Sequence, residues 1–129
     1  MSDFSDYFEN AVANVFRGTT LTAPAAVYLA LFSTMPSEAG TGGTEVTTTI
    51  RTAGRVAIPF GAPSNGVIAN TADVDFGTAQ GAASVAGVGI YDAATGGNLL
   101  ALKASGSTQA VSQGANVKFA TGAITLAVQ

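Results

Sequence analysis

The chain has 129 residues, 47% of them apolar and only 10% charged, with a net charge of −3. It contains no histidine, cysteine or tryptophan, which removes the usual acid/base group near neutral pH, thiolate nucleophiles, disulfides and the usual zinc sites. The acidic balance argues against nucleic-acid binding, which wants a basic stripe, and no apolar run approaches the roughly 20 residues of a membrane-spanning helix.

This length predicts one domain, and the scarcity of charge leaves an exterior of Ser, Thr, Gly, Ala, Asn and Gln. Such a surface suits a chain that covers much of itself with neighbours. Met1-Ser2-Asp3 offers no basic region ahead of an apolar stretch, so no secretory signal is expected and synthesis in the cytoplasm is the expectation.

Ser2 to Arg17 reads as the one helix. Phe4, Phe8, Ala11, Val12, Val15 and Phe16 recur at three- and four-residue spacing, with acids toward the start, Arg17 at the end and Gly18 as a stop. Its apolar stripe must be covered by its own sheet or by a neighbouring subunit. Residues 1–18 are therefore expected to form an amphipathic assembly arm, and residues 19–129 a single β-sandwich domain.

Ala26 to Phe32 is almost continuously apolar, as a strand buried on both faces would be. Ser33 to Thr44 has a proline, glycines and no period, and reads as a long loop poised for partner contact. Ile50 to Phe60 resumes β character through Val56, Ile58 and Phe60, with Pro59 limiting that end to an edge or bulge. Asn65-Gly66 marks a turn before short segments at Val67-Ile68 and Val74-Phe76. Ser84 to Tyr91 sets Val88 and Ile90 on one face and glycines on the other. Asp92 to Asn98 is a hairpin loop into Leu99–Lys103, and Val117, Phe119, Ile124, Leu126 and Val128 alternate toward the C-terminus. The expected fold is mainly β: an antiparallel sandwich or partly closed barrel of about seven to eight strands with one N-terminal helix.

Chemistry-bearing patterns are few. Asp73 and Asp75 would share a strand face and could hold calcium, but no nearby segment supplies the remaining oxygens, so a solvated face is the expectation. Gly40, Gly42 and Gly43 lack the lysine of a phosphate loop. Lys103 and Lys118 have no serine at a motif spacing. Arg51 and Arg55 could pair with Glu45 or Glu38, or reach a neighbour. No catalytic residue, cofactor or metal site is expected, and the chain is read as non-enzymatic.

Two stretches carry a family resemblance. Tyr28-Leu29-Ala30-Leu31-Phe32-Ser33-Thr34-Met35-Pro36-Ser37-Glu38-Ala39-Gly40 through Val46, and Gly89-Ile90-Tyr91-Asp92-Ala93-Ala94-Thr95-Gly96-Gly97-Asn98-Leu99-Leu100, resemble hairpins of a small family of tailed-bacteriophage virion proteins. The C-terminal Val117 to Leu126 is similar as well. Relatives often carry an aromatic beside the arginine and a tryptophan in the middle strand, both replaced here. The resemblance implies a virion structural protein, variously tail-fibre-like or unassigned in position.

The compact size, without shaft, heptads or repeats, favours a capsid decoration (cement) protein on the outer head surface. Its expected partner is the major capsid protein, or tail proteins otherwise, and it is expected to be a homo-oligomer, with a trimer favoured. No nucleic acid or membrane is expected as a partner. The alternative is a small tail, baseplate or fibre-associated module, with glycan as its candidate ligand. Phe4, Phe8, Val12, Phe16, Pro36, Glu38, Arg51 and Arg55 are the expected partner-contact residues.

Overall fold

The computed structural model describes residues 4–128. Its elements run α1 (Asp6–Val15), β1 (Tyr28–Thr34), β2 (Thr44–Glu45), α2 (Thr47–Ile50), β3 (Val56–Ala57), β4 (Val67–Ala69), β5 (Val74–Thr78), β6 (Ala83–Tyr91), β7 (Leu99–Val111), β8 (Asn116–Phe119) and β9 (Thr125–Ala127). A five-stranded sheet has the order β2-β1-β6-β7, with β3 also paired to β1. Two ribbons, β4-β9 and β5-β8, form the other layer. Among the described residues every pairing is antiparallel and no sheet closes into a barrel. The expected mainly β architecture with an N-terminal helix is the one observed.

The core lies between the layers. Leu29 and Leu31 of β1, Ile90 of β6 and Ala101 of β7 meet Val74 and Phe76 of β5, with Ile50, Ile58 and Ile124 closing the ends. Register explains the selection: Leu29 lies opposite Ile90 and Leu31 opposite Val88, while Val88 faces Lys103 and Ile90 faces Ala101, so these side chains share one face. β1 is buried on both faces from Leu29 to Phe32, as its continuous apolar run predicts.

The reverse face depends on glycine. A Cβ at Gly89 would stand 2.8 Å from Phe32 Cε2, and one at Gly87 would stand 2.5 Å from both Met35 Sδ and the Lys103 carbonyl oxygen. Side chains there would expel Phe32 and Met35, which cover that face. The Phe32 ring instead stacks toward Tyr91 at 6.3 Å between centroids.

Several boundaries differ from expectation for local reasons. The helix starts at Asp6 because Ser5 is its N-cap, accepting from the Phe8 N–H at 3.2 Å. Part of the expected 2–17 span, residues 2 and 3, lies outside the described residues. Ile50 closes the one-turn α2 and does not open a strand. Between Ile50 and Phe60 only Val56–Ala57 is strand, and Pro59, which cannot donate to a ladder, follows the Ile58 N–H bond to the Val27 carbonyl. β7 runs 13 residues where Leu99–Lys103 was expected.

β7 is also an edge strand. Ser105 to Thr108 all stand opposite Ala86, between the Val85–Gln109 and Gly87–Ala104 pairs, so the strand bulges outward. Lys103 occupies a core-facing register position on that edge. A bulge and a lysine on an edge strand both frustrate strand-on-strand pairing with another molecule.

Candidate interaction surface

The N-terminal arm is held firmly at its root. The Ser5 N–H donates to the Leu100 carbonyl at 2.9 Å, and the Ser5 hydroxyl donates to the Leu99 carbonyl. The Asp6 N–H donates to the Glu38 carbonyl at 2.9 Å, and Phe4 makes a bridge to Ala101. Ser5 is buried. The Phe4 and Phe8 rings lie 5.1 Å apart and half-buried, so the first part of the apolar stripe covers the β7 start.

Beyond that root the stripe leaves the body. α1 contains no buried residue, and Phe16, just past its end, is 89% exposed. Val12, Val15 and Leu21 are exposed as well. The same stripe therefore anchors at Phe4 and Phe8 and presents bare carbon at Val12 and Phe16. An exposed phenylalanine amid exposed valines is the kind of patch that marks a contact site.

The remaining expected contact residues divide. Pro36 is buried inside the 34–44 loop, and Glu38 is exposed above the helix root. That loop is compact: the Ser37 N–H bonds the Thr41 carbonyl, and Gly43, at φ +75°, passes so close to Pro36 that a Cβ would meet its nitrogen at 2.6 Å. Arg51 donates to the carbonyls of Gly54 and Arg55, at 2.8 and 3.2 Å.

Arg55 is engaged within the chain. Its guanidinium grips Glu45 through Nε at 3.0 Å and Nη2 at 2.8 Å, the pairing its spacing suggests. Nη1 donates to the carbonyls of Ala93 and Gly96, and the cation lies 3.7 Å from the Tyr91 ring centroid. The Arg55 side chain is 7% exposed. Tyr91 and Thr47 complete this cluster; neither stood out in the sequence, because strand register and a one-turn helix bring them there. Partial burial raises the Glu45 carboxyl, but hydrogen bonds from Arg55 and Thr47, with the arginine charge, outweigh it and hold it below its usual range. Burial pushes the Tyr91 hydroxyl up, against the nearby Arg55 cation.

The carboxylates also serve the fold. Asp92 accepts from the Asn98 backbone N–H at 2.7 Å and its side-chain amide at 3.0 Å, closing the hairpin loop. Burial raises that carboxyl, but the bonds from Asn98 and the nearby Arg55 charge together outweigh it, and the net shift is down. Asp73 accepts from the Thr121 N–H and hydroxyl, which lower its pKa, and Lys118 lies 3.7 Å away. Asp75 caps the Gly77 N–H at 2.7 Å. Among the described residues no group of three or more acidic side chains converges in a metal-binding arrangement.

A second apolar feature lies on the other side of β7. Two adjoining cavities of about 170 and 410 Å³ share Val88, Lys103 and Phe119 in their walls, forming a groove between β6–β7 and the β8–β9 layer. Ala123 and Leu126 line its outer end. No helix among the described residues is long and apolar enough to cross a membrane.

Comparison with curated proteins gives no match. A family model described as "Podophage GP4 fiber I protein gp80" matches residues 3–127. That span contains the helix, both resembling hairpins and every strand, so the chain belongs to the Podophage GP4 fiber I protein gp80 family, a tail-fibre-like family of phage virion proteins.

Proposed function

We propose that this protein is a non-enzymatic, fibre-associated structural subunit of the phage virion, attached through its N-terminal arm. The family's fibre description over residues 3–127 carries this reading, and it favours the fibre over the head surface expected from size alone. The arm supplies the chemistry of attachment: a rigid root at Ser5 and an uncovered apolar tip at Phe16. Arg55, Glu45, Asp73 and Asp92 are committed to internal bonds, which suits a scaffold that acts by contact.

Quantitative mass analysis and antibody labelling of purified virions test the assignment. A copy number set by the tail's low-order symmetry, with label at the fibres, is the expected result. Label over the whole head at the multiplicity of the major capsid protein would refute it and establish decoration.

A further inference from the structure

We infer that Asn65 is a site of spontaneous modification, deamidated through a cyclic imide by the Gly66 backbone nitrogen, and that the product loosens the C-terminal strand. Of the six asparagines in the chain, Asn65 is the one followed by glycine. The pair forms a two-residue turn between Ser64 and Val67, which exchange backbone hydrogen bonds of 2.9 and 3.0 Å. With φ of +52° at Asn65 and +77° at Gly66, the turn is of the primed kind that Asn-Gly favours. Among the described residues Asn65 is the one non-glycine in that left-handed region, and both turn residues are exposed.

The other asparagines are protected. Asn70 donates to the Ala72 and Ala120 carbonyls and accepts from the Ile124 N–H. Asn98 donates to Asp92, and Asn14 accepts from Arg17. Asn10 and Asn116 are exposed but lie inside α1 and β8, ahead of Ala11 and Val117, whose Cβ atoms crowd the attacking nitrogen. Among the described residues neither the Asn65 amide nor the Gly66 N–H has a hydrogen-bond partner, and Gly66 has no Cβ.

The deprotonated Gly66 nitrogen attacks Asn65 Cγ: that N–C bond forms, the Cγ–Nδ2 bond breaks and the amide leaves as ammonia. Water then opens the imide at either carbonyl. One opening gives aspartate on the original main chain. The other gives isoaspartate, whose main chain runs through Cβ and Cγ and is one atom longer. The net reaction turns an amide and water into a carboxylate and ammonium, with nothing oxidised or reduced. The turn has no room for the added atom. Gly66 accepts from the Val128 N–H at 2.8 Å, and even a Cβ on Gly66 would stand 2.7 Å from the Val128 carbonyl oxygen. The turn leads straight into β4, where Val67, Ile68 and Ala69 pair with Ala127, Leu126 and Thr125 of β9. Lengthening it costs the Val128 bond first and the β4–β9 register next.

Purified full-length protein, aged in mildly alkaline buffer made with water enriched in heavy oxygen and mapped by peptide mass analysis, tests the chemistry. Asn65 should convert ahead of every other asparagine while the protein stays folded, each product carrying one labelled oxygen. Asn65→Gln, which would have to close a larger ring, should gain no label there; should that variant fail to fold, the label in the wild type reads the reaction alone. In the isoaspartyl form the Val128 amide should exchange with solvent about tenfold faster or more. Freshly made Asn65→Asp, with the charge but not the extra atom, should keep wild-type exchange. An Asn65 that persists in the folded protein and converts only in urea would overturn the inference. So would conversion that leaves Val128 exchange unchanged, or an Asn65→Asp variant that loses protection equally.

Discussion

Replacing Arg55 by alanine removes a guanidinium with four hydrogen bonds and a ring contact, on a side chain only 7% exposed. Bonds to a charged group are worth about 1.5–3 kcal/mol each when one partner is deleted, and a cation over a ring adds about 0.5–1 kcal/mol near a surface. These values do not add. The Gly96 carbonyl sits on an exposed loop and regains water, and the Glu45 side chain is 29% exposed and regains hydration too. The expected loss is about 2–3 kcal/mol, short of the roughly 3–5 kcal/mol for breaking a fully buried pair and well above the roughly 0–1 kcal/mol of a surface one.

For a chain of this size that loss lowers Tm by about 10 °C, and urea titration should show a lower midpoint with unchanged slope. Arg55→Lys keeps the charge but loses the fork, and should recover less than half of the loss. Combining Arg55→Ala with Glu45→Gln should cost less than the sum of the two changes, by about 1–2 kcal/mol. A variant within about 0.5 kcal/mol of wild type would refute the reasoning. It would return Arg55 to the role expected from the sequence, a surface contact read out only as weakened attachment.

Three further outcomes are expected. Glu45, Asp73 and Asp92 are held below their unfolded pKa values, so their contributions are complete above about pH 4.5 and fade as pH falls through the lowered folded values; unfolding midpoints level between pH 4.5 and 2 would contradict this. Gly87→Ala should destabilise by about 2–3 kcal/mol in urea titration, since its Cβ would meet the Lys103 carbonyl oxygen and, at 2.9 Å, the Ala104 Cα. With no cysteine in the chain, Tm should be unmoved by reductant, and also by EDTA; a fall of several degrees with the chelator would revive a calcium site at Asp73 and Asp75.

The sequence displayed those elements whose physics is periodic. The helix is legible because apolar residues recur every three or four positions, and β1 because a strand buried on both faces has no polar alternation to show. Gly87 and Gly89 declare their face by what they lack. α2 is not legible: Thr47 to Ile50 is rich in β-branched residues of strand preference. Its turn is held by tertiary bonds, the Leu31 N–H donating to the Thr47 hydroxyl at 2.9 Å and that hydroxyl donating to Glu45 at 2.7 Å. The far half of β7 escapes because Ala104-Ser105-Gly106-Ser107-Thr108-Gln109 carries neither large apolar side chains nor alternation. For the surface, periodicity locates the arm's apolar stripe but not which part of it is covered. The Arg55–Glu45 pair follows from local spacing, whereas the Tyr91 ring beneath it depends on strand register.

The arm's root also sets a timetable for synthesis. Ser5 and its hydroxyl partner Leu99 are 94 positions apart, and β1 waits for β6 before its longer ladder can form. A ribosome has therefore translated most of the message before the first-made residues find their seat, and long-range closure of this kind is slow. Until then the nascent chain has neither a seated arm nor a paired β1. Only a nearly completed chain can therefore hold its arm fixed against the body.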